Sequence, residues 1–125
     1  MAAAAGLNPH PICASEDLAE GGPGVRFTLD RQGVCEPAFA VRFGGRVHAY
    51  LNRCAHLSVE LDWQPGQFFD HSGLYLICAT HGALYAPDSG RCIGGRCNGK
   101  GLNPVTVVED GGQVFLIEEG RESVG

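Results

Sequence analysis

Two short fragments bring cysteine and histidine together: Cys54-Ala55-His56, and Cys78-Ala79-Thr80-His81 within "CATHGALY". Thiolate and imidazole are the side chains that bind borderline and soft metals well. Taken singly, each residue reads as a buried cysteine or a hydrogen-bonded histidine. Taken as two close pairs, they read as a metal centre enclosed between two loops. Structural zinc sites usually repeat like pairs, C-x-x-C or two histidines on a helix. Here each fragment gives one of each kind. That asymmetry suits a two-iron centre in which one iron takes both cysteines and the other both histidines, and zinc stands as the alternative.

Such a centre needs rigid supports, and the flanking sequence is rich in strand and turn signals. "GVRFTL" reads as a first short strand. "PAFAVRFGGRVHAYLNRC" reads as a β-hairpin turned at Gly44-Gly45 that delivers Cys54 at its end. "LYLICA" is a buried-type strand ending at Cys78, and "GALYAPDSGRCIGG" a hairpin turned over Pro87-Asp88-Ser89-Gly90. "NPVTVVEDGGQVFLIEE" is a last hairpin around "EDGG", while "ASEDLAE" is only weakly compatible with a helix. Seven or more short strands with regular turn signals predict an all-β barrel or sandwich.

The chain has 125 residues, 44% of them apolar, enough for one domain with one modest core. Nineteen glycines and seven prolines favour turns and short strands over long helices. A formal net charge of −5 argues against nucleic acid, whose binding runs on phosphate neutralisation, and leaves a cationic protein partner open. No stretch reaches the roughly 18 apolar residues of a membrane helix. The start, "MAAAAGLNPHPIC", lacks a positive n-region and is interrupted by Pro9. It reads as a loose terminus rather than a signal peptide, which places the protein in the cytoplasm. The expected organisation is a loose segment over 1–20, one domain over 21–120 and a tail over 121–125. In a cytoplasmic protein, six cysteines suggest metal or redox work rather than a disulfide scaffold.

From about Val25 to Glu119 the sequence resembles the Rieske ferredoxin-type family. The resemblance is carried by C-x-H…C-x-x-H at Cys54, His56, Cys78 and His81, then "HGALY", "SGRCIGG" and "VEDGGQVFLI" in family-like order. It implies an all-β Rieske fold, an antiparallel sandwich or barrel with a small two-loop cluster-binding subdomain. It also implies one Rieske-type [2Fe–2S] cluster per chain, with Cys54 and Cys78 on the inner iron and His56 and His81 on the outer one. The function implied is one-electron transfer from a reductase to an oxygenase or similar acceptor, without catalysis by the chain itself. Two alternatives stand beside it: the small Rieske subunit of a reductase such as assimilatory nitrite reductase, and a cluster-less or zinc-binding interaction module.

Departures from the family pattern sharpen these expectations. The gap between the two motifs is 21 residues, 57–77, longer than expected for dioxygenase ferredoxins, and it carries "LDWQPGQFFD". Trp63, Phe68 and Phe69 are expected to pack this insert onto the domain, with a docking surface as the alternative. The high-potential branch of the family has an extra disulfide joining its cluster loops and a serine after the second motif's glycine. Val59, Thr80 and Ala83 occupy those positions here, so a potential near the low end of the Rieske range is implied, roughly −150 mV to about 0. Tyr85 falls where an aromatic residue commonly sits, and Arg96 stands where a proline often follows the third loop's glycine. Cys92 and Cys97 read as a disulfide, a second metal pair or reduced structural thiols, and the last is favoured because the ligand set is already complete. His10, His48 and His71 have no partner at ligand spacing.

Overall fold

The computed structural model describes residues 8–31, 33–53, 61–62, 66–78, 82–94 and 101–118. Among them are nine strands, one 3₁₀ turn and no α-helix. The strands are β1 (Asn8–Ala14), β2 (Val25–Arg31), β3 (Val34–Phe43), β4 (Arg46–Leu51), β5 (Leu76–Ile77), β6 (Leu84–Tyr85), β7 (Cys92–Gly94), β8 (Val107–Asp110) and β9 (Gln113–Glu118). They form three antiparallel three-stranded sheets, ordered β1-β9-β8, β2-β3-β4 and β5-β6-β7. The all-β fold expected from turn spacing is the fold observed, and its smallest sheet carries Cys78 at the end of β5.

The β2-β3-β4 sheet is the middle layer, and side-chain size sorts its two faces. Successive strand residues point to opposite sides. Ala38 and Ala40 of β3, with Ala49 and Leu51 of β4, face a core shared with Leu18, Leu29, Val105, Val114 and Leu116. Phe39, Val41 and Tyr50 face a second core shared with Leu61, Phe68, Leu76, Cys78, Ala83, Tyr85 and Leu102. Both faces are covered, which explains why "AFAV" reads as an unbroken apolar run rather than an alternating one. The Phe39 and Phe68 rings stack at 4.0 Å between centroids. Of the insert's aromatic residues, Phe68 is fully buried and Phe69 partly so, as packing required; Trp63 lies outside the described residues.

Two hairpins turn where the glycine pairs predicted. Gly44 and Gly45 adopt φ of +66° and +80°, and Gly111 and Gly112 +61° and +84°, the left-handed conformation of tight two-residue hairpin loops. Glu20 closes over the first turn, its carboxylate accepting the Gly44 and Gly45 amides at 2.6 and 2.9 Å. These bonds, Gly45 first, hold its pKa below the usual value.

Part of the segment expected to be loose over 1–20 is a strand: residues 8–14 form β1, an edge strand paired with β9. Pro9 and Pro11 alternate along it, so both missing N–H groups lie on one side, which an edge strand can leave unpaired. The "ASEDLAE" stretch forms only the 3₁₀ turn Ser15–Asp17, where Asp17 accepts the Ala14 amide at 3.0 Å.

Candidate metal centre

Three elements lead into, carry or follow the expected ligand positions in sequence. The first is the end of β4, where Asn52 and Arg53 lead toward Cys54. Asn52 is fully buried, its amide donating to the Pro37 carbonyl at 2.9 Å. Arg53 forms an ion pair with Glu36 on β3, so the strand's exit is fixed on both sides. Cys54 and His56 lie outside the described residues. The chain is described again at Leu61 and Asp62, and both are buried.

The second element is the β5–β6 turn. β5 is shorter than "LYLICA" suggested: Leu74 and Tyr75 are exposed, and only Leu76 and Ile77 pair with β6. At Cys78 the chain reverses. The Cys78 amide donates to the Ala83 carbonyl at 2.9 Å, and the Gly82 amide donates to the Cys78 carbonyl at 2.7 Å. Gly82 has φ of +74°, which a side-chain-bearing residue rarely adopts. His81 lies in this span of sequence but outside the described residues.

Cys78 therefore sits on a tightly tied backbone, with no exposure and no disulfide. It belongs to the same apolar core as Leu76, Ala83 and Tyr85. Burying a thiolate among such groups is costly unless a cation meets its charge. Bound iron would do so, and the chemistry of this donor fits an inner iron shielded from water. Among the described residues, no set of three or more His, Cys, Asp or Glu side chains is placed to hold a metal ion elsewhere. His10 and His71 are exposed and His48 is half-buried.

The third element is the β6–β7 hairpin. It turns over residues 87–89, where Gly90 fits under the Tyr50 ring: a Cβ there would lie 2.7 Å from Tyr50 Cε1. The buried Tyr50 hydroxyl donates to the Pro87 carbonyl at 2.8 Å, and burial, with the nearby Asp88 charge, pushes its pKa up to about 12. Tyr85 is fully buried opposite Leu76 and Cys92. Cys92 differs from the expectation of a reduced thiol: it is disulfide-bonded, and its partner lies outside the described residues, as do Arg96 and Cys97. Its Sγ lies 3.6 Å from the Gly94 carbonyl oxygen, a packing contact, because a disulfide sulfur carries no proton.

Sequence reasoning missed the polar residues that tie these elements together. Asn52 Oδ1 accepts the Leu61 amide at 2.8 Å, and its Nδ2 donates to Asp62 Oδ1 at 3.0 Å. Asp62 Oδ2 accepts the Gly66 amide at 2.9 Å and lies 3.4 Å from Arg26 Nε. The one available signal was position, since both residues flank the first Cys/His pair. At the opposite end, Arg42 donates to the Leu18 and Ser15 carbonyls and makes two bonds to the Glu109 carboxylate, at 3.1 and 2.6 Å.

Comparison with known proteins gives a consistent picture. The family profile of the Rieske [2Fe-2S] domain matches residues 8–115. Among solved structures, the chain is similar to the ferredoxin of carbazole 1,9a-dioxygenase from Nocardioides aromaticivorans IC177. That match has 23% identity, 87% coverage of this chain, 96% of that chain and a TM-score of 0.66. It is similar also to the Sphingomonas yanoikuyae B1 ferredoxin, with 17% identity, 89% and 99% coverage and a TM-score of 0.68. The terminal oxygenase of carbazole 1,9a-dioxygenase from Novosphingobium sp. KA1 matches at 27% identity and a TM-score of 0.64, over 88% of this chain but only 29% of the oxygenase. No protein of curated function matches at a significant level. Among the described residues no helix is long and apolar enough to cross a membrane.

Proposed function

The chain belongs to the Rieske [2Fe-2S] domain family, and from that premise we propose that it is a one-electron carrier between a reductase and an oxygenase or similar acceptor. Its cofactor is a Rieske-type [2Fe–2S] cluster, which supplies a single reversible electron. Cys54 and Cys78 are the proposed ligands of the inner iron, and His56 and His81 of the outer. The chain's own residues bind and orient the cluster. Cys78 holds it against an apolar wall that excludes water, and the short β5–β6 turn fixes that thiolate. The protein forms and breaks no substrate bond.

The observation that carries this reading is the Rieske match over residues 8–115, with a fold that accounts for nearly all of two small ferredoxins. This supports a one-electron carrier. The test has two stages. Iron and acid-labile sulfide counts, with visible and EPR spectra of the dithionite-reduced protein, should give two of each and a Rieske signal. Mixing the reduced protein with a resting Rieske oxygenase should then reoxidise it within turnover time. A normal cluster that passes no electron to any oxygenase, and purifies only with a large partner, would replace the carrier by a reductase subunit.

A further inference from the structure

Buried polar side chains demand partners, and where they are found says what they hold. Among the described residues the buried polar or charged ones are Asn52 and Asp62, and they touch each other. Asn52 stands two positions before Cys54, and Asp62 six positions after His56. The chain departs at Asn52 toward the first Cys/His pair and returns at Leu61, whose amide donates to Asn52 Oδ1. One side chain thus joins the two ends of the span that carries half of the proposed ligands.

We propose that Asn52 and Asp62 form a clasp that presets the first cluster-binding span, so that the ligands are gathered before iron arrives and held after it binds. This rests on the Rieske reading for its cofactor, but the clasp itself is a property of the protein. Both residue types are specified by the bonding pattern. Position 52 must accept from the Leu61 amide and donate to a carboxylate with one planar group, which asparagine does. Position 62 must accept twice, from Asn52 Nδ2 and from the Gly66 amide, which aspartate does. Arg26, 3.4 Å away, offsets the buried charge. Gly66 extends the clasp into the sandwich, because its carbonyl accepts the Gly24 amide at 2.8 Å. Gly24 in turn has no room for a side chain: a Cβ would lie 2.7 Å from Phe68 and 2.8 Å from the Ala40 carbonyl oxygen. The span is therefore tied through Asp62 and Gly66 to the start of β2.

Asn52→Asp sets two carboxylates face to face, and Asp62→Asn sets an amide donor against either Asn52 Nδ2 or the Gly66 N–H. The double exchange Asn52→Asp/Asp62→Asn restores all three hydrogen bonds, with donor and acceptor swapped between positions 52 and 62, and gives up only the ion pair of Arg26 with position 62. It has the same net charge and the same number of heavy atoms. The experiment is the rate at which an iron chelator bleaches the loaded protein, with EPR of the reduced state. Residues that position metal ligands commonly matter by about 10- to 100-fold. Each single variant should release iron about 10-fold faster or more, with a broadened EPR signal. The double exchange should recover most of the wild-type rate and signal. Val114→Ala, a destabilising control in the other core, should not accelerate release. Single variants with the wild-type release rate would overturn the clasp. So would a double exchange that folds no better, or holds iron no better, than the singles, or a Val114→Ala protein that loses iron as fast. Amide exchange in the iron-free chain keeps this separate from the cofactor assignment. The Leu61 and Gly66 amides should be protected in the wild type and exposed by each single variant, whatever metal the protein takes. Loss of protection in neither single variant would also refute the proposal.

Discussion

β1, β2, β3, β4 and β9 run for six to ten residues each, whereas the sheet beside Cys78 is built from strands of two, two and three. The long strands are held by long ladders, that of β1 and β9 broken by one register shift, and by an alanine-rich core between layers. The short ones cannot draw much from ladder bonds. They lean instead on the stacked Phe39 and Phe68, on Tyr50 pinned to Pro87, and on the buried Asn52–Asp62 pair. The comparison teaches that the long strands are held largely by their own pairing, while the side that carries Cys78 borrows its rigidity from the middle sheet.

Phe39→Ala should break that loan most severely, because the ring lies on the face of β3 that shares a core with Phe68, Leu76 and Cys78. Truncating a buried phenylalanine costs about 3–5 kcal/mol. Denaturant unfolding of the loaded protein should show that loss, with bleaching of the cluster ahead of the loss of strand signal. A cost below about 1 kcal/mol, with simultaneous transitions, would mean that the two sides share one indivisible core.

Ala83→Ser should sharpen the contrast without unfolding either side. Ala83 is fully buried and its carbonyl accepts the Cys78 amide, so a hydroxyl there lies in the turn that holds Cys78, a proposed ligand. By the family resemblance, serine at this position would donate to a cluster sulfide and favour the reduced state. A hydrogen bond to a charged acceptor is worth about 1.5–3 kcal/mol, which converts to an upper limit of about 60–130 mV for one electron. The observed rise should be smaller, because the oxidised cluster accepts as well. Protein-film voltammetry measures it; a downward shift, or a wild-type potential above about +200 mV, near the upper end of the Rieske range, would refute the low-potential assignment.

Glu109→Gln should act on the far side and act least. Its bonds to Arg42 hold the Glu109 carboxyl down to about 2, against an ordinary value of 4.5. A depressed carboxyl adds stability that is fully present above the unfolded value and lost as pH falls toward the folded one. The wild type should therefore lose a small increment between about pH 4.5 and about 2, and the variant should lack that slope. The increment is small because the pair is partly exposed to water. Thermal melts across this range, with the iron content followed in parallel, check it: equal slopes would show that the pair adds nothing.

How much of this was legible beforehand follows from the range of the forces involved. Gly44-Gly45 and Gly111-Gly112 could be read because a two-residue turn is a local event, and the place of Cys78 at a strand end because strand and turn are contiguous. β1 was missed because prolines at 9 and 11 argue against a strand until the chain is known to lie at a sheet edge, which β9, a hundred residues away, decides. The roles of Asn52 and Asp62 were hidden for the same reason. Nothing in "LNRCAHLSVELD" says that its two ends meet. The Cys92 disulfide was misjudged because the argument from a complete ligand set concerns metal binding and leaves sulfur–sulfur pairing open.

The pairing of β1 with β9 also has a consequence for the order of assembly. Asn8 meets Glu118, so this contact closes a loop spanning almost the whole described chain, whereas the β2-β3-β4 meander closes only short ones. Contacts distant in sequence carry the greater closure entropy and slow the search. On the ribosome the meander has all its strands within reach early, while β1 must wait, unpaired, until β9 has been synthesised and has left the exit tunnel. Throughout that interval the inner edge of β1 is open, and its two prolines blunt only the other edge against a passing strand of another chain.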